Sequence, residues 1–114
     1  MITIDPALLI TAEAKAASAL ALQINIYRIA VQDHVDATAR ARRYDNGTSL
    51  ASYVASGNPA WSAEAAAFVA WRDAVWAYAY AELDKVTAGT RPQPGVEEFI
   101  AELPVIVWPA GEGE

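Results

Sequence analysis

Between Trp61 and Val86 the chain reads WSAEAAAFVAWRDAVWAYAYAELDKV, with no glycine or proline. Alanine, the strongest helix former, fills the gaps between large side chains, so the stretch predicts one long helix. Asn58 as N-cap and Pro59 at the first helical position would start it, with Ser62 a competing cap, and Gly89 would stop it near Ala88. Three of the chain's four tryptophans lie here, Trp61, Trp71 and Trp76, with Phe68, Tyr78 and Tyr80. Trp61, Ala65, Phe68, Val75, Trp76, Ala79, Leu83 and Val86 form one broad apolar stripe, and the other segments must pack to suit it.

Arg72 falls inside that stripe, where a charge needs a partner or a route to water. Three arrangements satisfy it: stacking on Trp76 or Phe68, pairing with Asp33 or Asp36 across a helical hairpin, or contact with a partner. The first two are structural and are favoured. Trp71 and Tyr78 lie to one side of the stripe, Val69 and Tyr80 to the other, so the helix is aromatic around more than half its circumference. Either neighbouring segments cover that belt, or part of it is a binding surface, which would use Trp71, Tyr78 and Tyr80. Phe68, Trp61 and Trp76 are expected to be structural.

A second uninterrupted run extends from Ala12 to about Arg43. Leu20, Ile24, Tyr27, Val31, His34, Val35 and Thr38 recur at three- and four-residue steps and make one helical face. Leu22, Ile26 and Ile29 lie roughly opposite. A helix apolar on two sides must be covered on two sides, either by an N-terminal arm folding back over Leu22 and Ile26 or by another copy of the chain. Self-association, and hence a homo-oligomer, is the expectation drawn from this pattern. Residues 1–10 are read as the arm, with a brief helix after Asp5-Pro6 and a second helix start at Thr11. Arg40, Arg42 and Arg43 fall at the end of the run, where they complement the helix C-terminus.

Tyr44-Asp45-Asn46-Gly47 reads as a turn, with Gly47 able to take a positive φ. Thr48 or Ser49 would then cap a short helix through Ser56. After the proline-bearing linker 90–95, Val96 to Leu103 reads as another short helix with Phe99, Ile100 and Leu103 on its buried side, stopped by Pro104. Val105-Ile106-Val107-Trp108 is β-branched and aromatic, so it should be extended, lying between the long helices with Trp108 as anchor. Residues 110–114 are expected to be a disordered tail. The fold class expected is all-α: an antiparallel hairpin of two long helices, two short helices and an extended C-terminal segment, with residues 11–109 as one helical domain.

Bulk composition narrows the function. The chain has 114 residues and a net charge of -6, which argues against a nucleic-acid partner. There is no cysteine, so disulfides and thiol chemistry are excluded. The N-terminus lacks the basic and apolar regions of a secretory signal, and no uncharged run approaches the ~18 residues of a membrane span. The single histidine, His34, sits on the main apolar stripe. Asp33, His34 and Asp36 cannot converge on one point, because adjacent helical positions diverge. No metalloprotease, phosphate-loop or nucleophile-elbow pattern occurs. Glu64, Glu82, Asp84, Glu97, Glu98 and Glu102 have the spacing of helix starts and solvated faces. No enzyme activity, cofactor or metal is expected.

The run YDNGTSLASYVASGNPAWSAEAAAFVAWRDAVWAYAYAEL and the later VEEFIAELPVIVWP resemble a segment of tail proteins of tailed phages and prophages, and the upstream ITAEAKAASALALQINIYRIAVQDHVDATARARRYD resembles the same family's approach to it. The resemblance spans about Leu9 to Pro109. Its most specific parts are WRDAVW at Trp71–Trp76 and the ending from Leu103 to Pro109. It implies a non-enzymatic tail-fibre assembly factor or tail accessory, with a tail or tail-fibre protein as partner, working in the host cytoplasm during assembly or in the virion tail. A structural subunit of the tail and a small acidic inhibitor of a host protein are the alternatives. In the family this segment often ends a longer protein, so a fibre-binding portion is expected to be missing here or separately encoded.

Overall fold

The computed structural model describes residues 6–109, with side chains described from residue 11. The elements are α1 (Pro6–Ala41), α2 (Gly47–Ala51), a 3₁₀ turn (Ser52–Ala55), α3 (Pro59–Ala88) and α4 (Val96–Ala101). No strand occurs among the described residues, and the fold is all-α. The molecule is a rod with extents of 77 × 21 × 18 Å.

α3 begins and ends where residue chemistry dictates. Asn58 accepts from the backbone N–H groups of Ala60 and Trp61, and Pro59 occupies the first turn. Gly89 closes the helix with φ 77°, a left-handed conformation that side chains rarely adopt. α1 is longer than the expected run. It passes through Thr11 without a second start, because nothing between Pro6 and Ala41 opposes a helix. Residues 1–5 of the expected arm lie outside the described residues. Residues 6–10 continue the helix, so they do not turn back over Leu22 and Ile26.

α1 and α3 pack antiparallel. His34 meets Trp71 at 5.8 Å between rings, while earlier in α1 Ile29 lies level with Trp76, later in α3. Tyr27, Val31, Val35 and Ala39 form the buried face of α1, opposite Ala65, Phe68, Val75, Ala79 and Leu83 of α3. Tyr27 also stacks against Phe99 of α4, and its hydroxyl donates to the Pro94 carbonyl.

The α1–α2 connection differs from expectation in an instructive way. Arg43, not Gly47, takes the left-handed conformation, with φ 75°, and the Tyr44 N–H reaches back to the Ala39 carbonyl. Gly47 instead sits where other side chains approach its backbone closely. A Cβ there would stand 3.1 Å from Asp36 Oδ1, 3.2 Å from Phe68 Cζ and 3.3 Å from Val35 Cγ1. The Gly47 N–H donates to Asp36 at 2.8 Å, a contact that needs the two backbones near each other. Asn46, rather than Thr48 or Ser49, caps α2 by accepting from the Ser49 N–H.

The last segment is extended and folds against the hairpin. Phe99 and Leu103 are buried, and Ile106 and Trp108 pack against the core, while Val105 and Val107 point outward. The Trp71 indole N–H donates to the Pro104 carbonyl at 2.7 Å. The Arg42 guanidinium lies 4.5 Å over the Trp108 ring. Arg42 therefore anchors the C-terminal segment rather than merely complementing the end of α1.

Candidate functional site

The buried face of α3 keeps Ala65, Phe68, Val75, Ala79, Leu83 and Val86 of the stripe read from its sequence, but takes in Trp71 and Glu64 where Trp61 is exposed and Trp76 half-buried. It centres on Phe68, Trp71, Val75 and Ala79, with Glu64 among its buried positions. Trp71, a candidate for partner contact, is instead a core residue at 7% exposure, held by Phe68, His34 and Pro104. Arg72 turns outward. It meets none of the partners expected for it and pairs with its neighbour Asp73 at 3.0 Å. The physical reason is that α4 and the C-terminal segment lie on the Trp71 side of α3, which a helical wheel of α3 alone does not show. Trp61 is half-exposed and packs edge-on to Tyr53 at 5.7 Å, so it fastens the 3₁₀ turn to the start of α3 rather than filling the core. Phe68 is fully buried, as its structural role requires.

Glu97 and Glu98 stand in the first turn of α4 and Asp84 is exposed, as their spacing predicts, whereas Glu64, Glu82 and Glu102 join two charged clusters. At one end Glu64 is buried, accepts from the Tyr44 hydroxyl at 2.8 Å and pairs with Arg42 at 3.4 Å. At the other end Arg91 bridges Glu82 of α3 and Glu102 beyond α4. The Glu102 carboxyl is held below the ordinary carboxylate range, first by its hydrogen bond from Arg91 and then by one from the Tyr78 hydroxyl. Glu82 is lowered mainly by the hydrogen bond from Lys85, with Arg91 adding to it. The Tyr78 hydroxyl is raised by donating to Glu102, by burial and by the two carboxylate charges. The cluster ties α4 to α3 through Arg91. Tyr78, another candidate for partner contact, is committed to this internal hydrogen bond. Nothing in the sequence signalled Arg91, which sits in the proline linker and finds its partners only through the fold. Among the described residues no group of three or more His, Asp or Glu side chains is placed to hold a metal ion, and no helix is long and apolar enough to cross a membrane.

The exposed apolar surface is elsewhere. Leu22, Ile26 and Ile29 are 65%, 43% and 53% exposed on the outer side of α1, and Tyr80 on α3 is 49% exposed. Tyr80 stacks on half-buried Trp76 with ring centroids 5.3 Å apart. Trp76, Tyr80 and Ile29 line an open groove between α1 and α3, with Asn25, Arg28 and Gln32 as its polar wall. Four of the six candidate contact residues are therefore exposed: Leu22, Ile26 and Ile29 in a row along α1, and Tyr80, which meets the end of that row at Ile29 in the groove. The half-periodic pattern of α1 located three of them, because an apolar residue opposite a complete core face has nowhere inside to go. Comparison with protein-family models, curated proteins and solved structures finds no match to the chain.

Proposed function

We propose that the protein acts by binding other protein surfaces through the face built from Leu22, Ile26, Ile29, Trp76 and Tyr80, as a non-enzymatic tail-fibre assembly factor or tail accessory of a tailed phage. The observation that carries the binding role is the contiguity of these side chains. Isolated exposed apolar residues are ordinary, but a run of aliphatic side chains along α1 beside an aromatic groove is an interaction surface. The assignment to tail assembly rests on the resemblance of the segments around Trp71–Trp76 and Leu103–Pro109. Apolar contact suits a helper that shields the hydrophobic surface of a fibre protein, and the net charge of -6 keeps such a helper soluble.

Co-expression with the fibre protein encoded in the same phage genome tests this. Native chain should raise the yield of soluble fibre and co-purify with it. The Leu22→Glu/Ile29→Glu variant should fold and lose both effects. Unchanged fibre recovery with that variant would refute the proposal. Purified virions separate the two roles: an assembly factor is left out of them, whereas a tail component is retained.

A further inference from the structure

The outer face of α1 is self-complementary. Lys15 and Asp33 lie eighteen residues apart, about five full helical turns, and so on the same side of the helix. Both are exposed, and neither forms an ion pair among the described residues. The midpoint between them is Ile24. Leu22 and Ile26 are two residues to either side of that midpoint, and Ala19 and Ile29 are five to either side. A second α1 laid antiparallel about this midpoint places each Lys15 opposite an Asp33, each Leu22 opposite an Ile26, and each large Ile29 opposite a small Ala19. A parallel pair would instead set Lys15 against Lys15 and Asp33 against Asp33.

The same register solves a second problem. Every residue from Thr11 to Ala19 is exposed, because α3 ends before it can cover that part of α1. In the antiparallel pair this alanine-rich stretch lies alongside residues 29–37 of the other copy. The two-fold symmetry covers the stretch in both copies, and its small alanine side chains allow the two helices to approach closely.

We infer that the occupant of this face is a second copy of the chain, bound as an antiparallel α1–α1 dimer whose two-fold axis passes between Leu22 and Ile26, at the level of Ile24, with Lys15–Asp33 pairs setting its direction. This inference rests on reading the face as a binding surface and names its partner.

Sedimentation equilibrium on the full chain tests it. The native chain should be a dimer. Leu22→Glu should weaken association at least a hundredfold while the helical circular dichroism is retained, since Leu22 is exposed in the single chain, and its melting temperature should lose the concentration dependence of the native dimer. Lys15→Glu and Asp33→Lys should each weaken it several-fold, and the two together should restore it. The chain lacks cysteine, so engineered thiols report the direction unambiguously. A short bismaleimide should link the Lys15→Cys/Asp33→Cys variant into dimers and leave Lys15→Cys alone unlinked, because its two thiols would be about 27 Å apart at 1.5 Å per residue. A monomer at high concentration, failure of the double charge reversal to restore association, or efficient linking of Lys15→Cys alone would each overturn the inference. The two proposals fail separately. A monomer whose fibre binding is abolished by Leu22→Glu/Ile29→Glu overturns the dimer and keeps the binding role. A dimer dissolved by Leu22→Glu with fibre recovery unaffected by the paired variant does the reverse.

Discussion

Trp71 decides between two views of α3, because the same residue fits an aromatic binding surface by sequence and the core by structure. Its ring packs against Phe68 at 5.7 Å and His34 at 5.8 Å, and its indole N–H holds the Pro104 carbonyl at 2.7 Å. Trp71→Ala removes a buried aromatic ring and leaves a cavity, at a cost of about 3–5 kcal/mol. A chain of 114 residues has a total stability on the order of 6–17 kcal/mol, so the variant should stay folded but with a much lower urea midpoint. Trp71→Phe isolates the polar contact. It keeps most of the ring and loses one hydrogen bond, which contributes roughly 0.5–1.5 kcal/mol, plus a smaller packing loss. Because that bond pins Pro104, the variant should also loosen the segment from Val105 to Pro109. Proteolysis there should quicken more than the urea midpoint alone accounts for, and Trp108 emission should shift to the red. The assay is equilibrium urea unfolding followed by circular dichroism, with limited proteolysis under native conditions. A partner-facing Trp71 would behave differently: its alanine variant would stay within about 0.5 kcal/mol of the native chain. That result would refute its placement in the core.

Two further outcomes follow from the charged groups. Arg72→Ala should change stability by less than about 0.5 kcal/mol, since its partner Asp73 is exposed and such pairs are weak; a large loss of thermal stability would restore a buried role for it. The Arg91 cluster should shape the pH dependence of stability. Glu82 and Glu102 have lowered folded-state values, so their contribution is present above the unfolded carboxylate value of about 4.3 and is lost as pH falls through the folded values. Tyr78 has a raised value, so its contribution is present below the unfolded value of about 10 and is lost as pH rises through the folded one. Arg91→Met should flatten the acid limb of a plot of urea midpoint against pH; an unchanged acid limb would show that other carboxylates set it.

Much of the architecture was legible in the chain. Alanine-rich runs without glycine or proline mark both long helices, and Asn58-Pro59 and Gly89 mark the ends of α3, because helix formation and capping are local. The position of α1's main face was equally plain. Tyr27, Val31 and Val35 are buried where their spacing places them, and Leu22, Ile26 and Ile29 are left outside for the same reason.

Most of the inner side of α3 was legible too, since Ala65, Phe68, Val75, Ala79, Leu83 and Val86 are buried as their spacing predicts. Which tryptophan joins them was not, because aromatic residues flank that stripe on both sides. The choice of Trp71 over Trp61 was made by α4 and the C-terminal segment arriving on one flank. Gly47 teaches the same lesson: its sequence context suggests a turn needing a positive φ, yet it is the close approach of Asp36, Phe68 and Val35 that would crowd a side chain there. The ion pairs of Arg42 with Glu64, and of Arg91 with Glu82 and Glu102, likewise join different elements and depend on how those elements meet. By itself, then, the sequence determined where helices run and which residues of α1 the core cannot absorb, because periodicity and capping act over a few residues. Only the tertiary structure decided the burial of Trp71 in place of Trp61, the outward placement of Arg72 and the assembly of the Leu22–Tyr80 face, because each depends on which distant segment packs against which side.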